Sequence, residues 1–96
     1  MQSIPLRDLI ADIHALDREL QRLEEKYNLL SEDFYQLYEA GLLRDEVVEE
    51  IDDYGRWAAL YRMRLRRKQQ YDEMKRTALQ ALVPQQSAVL EPTLSR

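Results

Sequence analysis

Apolar residues recur at alternating steps of three and four along the first third of the chain: Leu6, Leu9, Ile13, Leu16, Leu20, Leu23, Tyr27 and Leu30. A mean step of 3.5 residues keeps one narrow stripe facing a partner helix, so the segment predicts a coiled-coil-like helix with Leu9, Leu16, Leu23 and Leu30 at d positions. Pro5 suits the first turn of that helix, where its missing N–H costs nothing, with Ser3 or Ile4 just outside. The helix is expected over about residues 5–28. Ser31 then reads as an N-cap, with Leu30 and Tyr35 placed as a hydrophobic staple, and opens a short helix over about 32–40. Gly41 fits the left-handed position after that helix and sets Leu42 against Leu37, as a Schellman ending requires.

Asp45 is a cap for a third helix over about 45–82, whose early Glu46, Glu49 and Glu50 favour the positive end of the helix dipole. Val47, Ile51, Tyr54, Ala58, Tyr61 and Leu65 continue the three-four rhythm. Trp57, Leu60, Tyr71, Met74, Ala78 and Leu82 form a second stripe on a neighbouring face, so this helix is expected to touch two partners. Gly55 is the one interior breaker, read as close helix packing beside Trp57 or a slight kink. Pro84 and Pro92 stop the helix, leaving residues 83–96 as a flexible tail, disordered alone, whose Val89, Leu90 and Leu94 can dock extended onto a partner. The fold class is therefore all-α: one domain over 1–82, a long antiparallel helical hairpin with a short connecting helix, followed by the tail.

Charge sharpens the pairing. Residues 1–53 carry 15 acidic against 5 basic side chains, a balance of −10, while residues 54–96 carry 9 basic against 3 acidic, a balance of +6. In a parallel homodimer of the first helix, Asp12 would face Asp17 and Glu19 would face Glu24, and both contacts repel. Packing against the basic stretch Arg62, Arg64, Arg66, Arg67 and Lys68 relieves this, which selects an antiparallel arrangement. Exposed pairs contribute under about 1 kcal/mol each, so the apolar seam supplies the stability and charge chooses the geometry.

A chain of 96 residues buries a modest core and often gains stability from self-association or a partner. Zero cysteines remove a disulfide framework and thiolate metal sites. With no apolar run long enough for a bilayer and no signal-peptide pattern at the start, a soluble cytoplasmic protein away from the membrane is expected. His14 is the only histidine and sits at an outward b position, so no metal centre is expected around it. No phosphate loop, nucleophile elbow or paired nucleophile and base occurs, and the expectation is a protein that is not an enzyme and takes no cofactor. Arg62, Arg64, Arg66, Arg67 and Lys68 are candidate phosphate contacts, but the acidic total and the absence of a DNA-reading motif disfavour nucleic acid.

Three segments carry a family resemblance: Lys26 to Tyr35, then Tyr38-Glu39-Ala40-Gly41, then Asp52 to Tyr61. A helix leads into a serine-started Phe-Tyr helix, a Glu-X-Gly turn, acidic residues and a Trp-X-X-Leu-Tyr helix. This pattern resembles small helical prokaryotic proteins similar to type II toxin–antitoxin antitoxins, from which Gly55 and Arg56 depart. The resemblance implies a cognate toxin, a small ribonuclease-like protein neutralised by wrapping or occlusion. The expected role is a protein–protein interaction module acting as an antitoxin, with a structural or scaffolding homodimer as the alternative. Partner-interface candidates are Trp57, Leu60, Tyr61, Met74, Val89 and Leu90.

Overall fold

A computed structural model describes residues 5–44 and 46–83, and within them the chain is all-helical. Its three helices are α1 (Leu6–Tyr27), α2 (Ser31–Glu39) and α3 (Val48–Leu82), and α1 and α3 pack together while α2 packs on α3. Asp45 and the segment 84–96, with Val89 and Leu90, lie outside the described residues, as do Ser3 and Ile4. The third helix starts later than the expected 45, at Val48, and extended Val47 holds the N-cap position expected of Asp45, without a capping side chain.

Pro5 stands one residue ahead of its expected place. Its extended ψ of 147° makes it the N-cap, and its carbonyl accepts the Leu9 N–H at 3.0 Å. Along α1 the seam buries Leu9, Ile13, Leu20 and Leu23, with Leu6, Leu16 and Tyr27 half-buried. Leu30 breaks the pattern at 64% exposed. The reason is Asn28, which takes the left-handed conformation at φ 55° and ends the helix, so the phase that carried the seam is lost. Leu29 turns inward against the core in its stead.

Ser31 is the first residue of α2 and not its cap; extended Leu30 holds that position without a capping side chain, and the expected staple is absent because Leu30 faces away. The far end of α2 carries both hydrogen bonds of a Schellman ending. Leu42 N–H reaches the Leu37 carbonyl at 3.0 Å and Gly41 N–H reaches that of Tyr38 at 3.1 Å, with Gly41 at φ 69°.

On α3 the two apolar stripes have different fates. Trp57, Leu60, Tyr71, Met74 and Ala78 are buried or half-buried, whereas Leu82 at the end of the helix is exposed. The other stripe is covered where α2 lies, at Tyr54, Ala58 and Tyr61, and open on either side, at Val47, Ile51 and Leu65. Gly55 is exposed and a Cβ there would meet nothing within 4 Å, so close packing is not its role.

Candidate functional site

The densest part of the chain is the place where the three helices meet. Every aromatic residue except Tyr71 belongs to one connected cluster there. Phe34 of α2 stacks on Trp57 of α3 with ring centroids 3.9 Å apart and planes within 3°, and Tyr27 of α1 stacks on the same indole at 5.7 Å. Trp57, expected at a partner interface, has 0% of its surface exposed. The folded chain itself covers it, because a serine-started α2 delivers Phe34 onto the indole face.

A buried indole N–H needs an acceptor. Trp57 Nε1–H donates to Ser31 Oγ at 2.8 Å, and Ser31 passes its own hydroxyl hydrogen to Glu24 Oε2 at 2.7 Å. The same carboxylate oxygen accepts the Ser31 backbone N–H at 2.8 Å. One acidic side chain on α1 therefore fixes the first turn of α2 and, through it, the orientation of the tryptophan.

Around this junction run ion pairs that join α1 to α3. Lys26 meets Glu49 and Asp53, Glu19 meets Arg56, Asp17 meets Arg64 at 2.8 Å and Asp12 meets Arg67 at 3.5 Å. Residue numbers fall along one helix as they rise along the other. Lys26 Nζ at 2.7 Å, followed by Tyr27 Oη at 2.6 Å, holds the Asp53 carboxyl below the ordinary carboxylate value of 3.8. Burial, then the hydrogen bond to Asp53, pushes the Tyr27 phenol up to about 12. Lys26 is raised in turn by its two carboxylate partners, Asp53 first.

The five candidate phosphate contacts separate into different tasks. Arg64 binds Asp17 through two nitrogens, Arg67 faces Asp12, and Lys68 binds Asp72 at 2.9 Å. Arg62 lies over the Tyr35 ring, 5.6 Å from its centroid. Arg66 is exposed and makes no ion pair among the described residues. Of the five cations, the chain's own acids engage Arg64, Arg67 and Lys68, and Arg62 packs on a tyrosine, which leaves Arg66 as the one of the five held by neither among the described residues. His14 is exposed, and no group of three His, Asp or Glu among the described residues is placed to hold a metal ion.

Farther along, α1 and α3 leave a groove of about 210 Å³ lined by Ile10, Ile13, His14, Arg64, Lys68 and Tyr71. At the other end, Leu42 and Val48 are 71% and 72% exposed beside the less exposed Val47 and Ile51. Of the remaining interface candidates, Leu60 and Tyr61 pack half-buried against the aromatic core and Met74 is half-buried near the far end of α3. The Glu24–Ser31–Trp57 chain is the feature that sequence reasoning missed. Its signal was the e-position row Ile10, Asp17 and Glu24, which holds two carboxylates on one side of an otherwise apolar seam. No helix of the described residues is long and apolar enough to cross a membrane. Comparison of the sequence with protein-family models, of the chain with curated proteins, and of the fold with solved structures returns no match.

Proposed function

We propose that the chain is a protein–protein interaction module, an antiparallel helical hairpin clasping a short third helix, and that it acts as an antitoxin against a cognate small toxin. The observation that carries the interaction reading is the group Leu42, Val47, Val48 and Ile51, left exposed around the α2–α3 junction. Adjacent large apolar side chains on so small a surface favour burial against another protein. The antitoxin refinement rests on the resemblance across residues 26–61. Its test is co-expression with a small basic toxin encoded by a neighbouring gene. Growth restored by the intact chain supports the reading, and deletion of residues 83–96 should weaken neutralisation while leaving the helices folded. Full toxicity in the presence of the intact chain removes it.

The pairing of Arg64, Arg67 and Lys68 with acidic neighbours counts against direct nucleic-acid binding. Were duplex DNA the ligand, Arg64→Gln with Arg67→Gln would abolish a salt-sensitive mobility shift. The scaffolding homodimer is the second reading, favoured by the groove between α1 and α3.

A further inference from the structure

Two heptad-spaced rows flank one face of the α1–α3 layer. On α1 the row is Ile10, Asp17 and Glu24; on α3 it is Tyr54, Tyr61 and Lys68. At one end, Glu24 holds the first residue of α2, while Tyr54 and Tyr61 pack on Phe34 and Tyr35. Asp17 and Arg64 close the middle of the face. At the other end the rows continue as Ile10 and Lys68, and no third helix lies over them among the described residues; they line the open groove instead. The layer is three helices thick over one half and two over the other. The open half lies in line with α2, which is nine residues and about 14 Å long.

We propose that the open half is filled by α2 of a second copy of this chain. A twofold axis through the face, between Tyr61 and Leu65, lays each copy's α2 over the other's vacant half, so both halves are covered by one isologous contact. Charge supports this occupant. The outer face of α2 carries Glu32 and Asp33, with Glu39 at its end, and none of the three makes an ion pair among the described residues. The open half carries Arg64 and Lys68, whose charges are shared with Asp17 and Asp72, and Arg76 about two turns past Lys68 on α3, which has no carboxylate partner among those residues. Asp33, Leu37 and Ala40, spaced i, i+4 and i+7, form an exposed row on α2 that offers one acid and two apolar groups to the basic, isoleucine- and tyrosine-lined groove. The inference specifies the homodimer reading and does not depend on a toxin.

Light scattering and sedimentation of the full chain test it. The wild type should be a dimer. Asp33→Lys alone sets two lysines together at each contact and Lys68→Asp alone sets two aspartates together, so each should raise the dimer dissociation constant about tenfold or more. An equimolar mixture of the two variants should restore the dimer as a heterodimer, since every facing pair is then of opposite sign. That recovery cannot come from variants that fail to fold. A wild-type monomer at every concentration overturns the proposal, as does a dimer indifferent to both substitutions and to Tyr71→Glu. If toxin neutralisation survives while the dimer is absent, the interaction reading stands and this inference alone falls.

Discussion

At the scale of single residues, polar groups placed inside an apolar junction have the sharpest consequences. Ser31 satisfies the buried Trp57 N–H and donates twice to Glu24. Ser31→Ala strands the indole donor and removes one of the two bonds on the carboxylate, so it should cost about 1–3 kcal/mol in urea unfolding, against a few tenths for a serine that only faces water. Equal midpoints for Ser31→Ala and wild type would show that the chain of hydrogen bonds contributes nothing. Asp53 has a lowered folded pKa, so its contribution is complete above its ordinary value of 3.8 and is lost as pH falls through the folded value. Tyr27 has a raised one, so its contribution is complete below 10 and is lost as pH climbs towards about 12. Stability should therefore hold level between roughly pH 4 and 10 and fall on both sides. Asp53→Asn should shallow the acid fall and shift Tyr27 ionisation, read as tyrosinate absorbance, to lower pH. An unchanged absorbance titration would contradict the contact.

At the scale of elements, the seam along α1 separates two leucines that the spacing alone makes equivalent. Leu20→Ala should cost about 2–5 kcal/mol because the side chain is buried, whereas Leu30→Ala should be nearly neutral, and the difference is measurable as two denaturation midpoints. Similar midpoints for both would mean that the helix continues past Asn28 in solution. The comparison shows what a sequence carries and where it stops. Periodicity reports which face of a helix is apolar for as long as the helix lasts, and so Leu9, Ile13, Leu20 and Leu23 were legible in the core. It does not report the residue at which the phase breaks, because Asn28 in the left-handed region is a local conformational choice with a weak sequence signal. Gly41 was legible because glycine there has a strong one. Ser31 shows a different limit: a serine before an apolar run fits a helix cap as well as it fits a bridge between Glu24 and Trp57. Only the third dimension brings a residue 26 positions away to its hydroxyl. The candidate interface suffered likewise, since Trp57 lies on an apolar stripe whether the covering helix is its own α2 or another chain's.

At the scale of the whole molecule, the chain is elongated, 60 × 33 × 24 Å, and unevenly built along its length. The three-helix end contains the stacked rings, the relay through Ser31 and the Lys26–Asp53–Tyr27 group, while the last turns of α3 carry exposed Leu79 and Leu82. Amide hydrogen exchange should therefore be slowest in α3 around Trp57 and faster beyond Asp72, and uniform protection along the helix would refute the division. In a dilute sample, where any self-association is undone, the contrast should be greatest. The chain has a single tryptophan, and it stands at the well-packed end with an aromatic ring 3.9 Å above it. Its fluorescence is consequently a private optical signal from that end, while far-ultraviolet circular dichroism averages over all three helices. Heated together, the two signals should part company, with ellipticity declining before emission shifts, and the gap between the curves would give the extent to which one end of this molecule melts without the other.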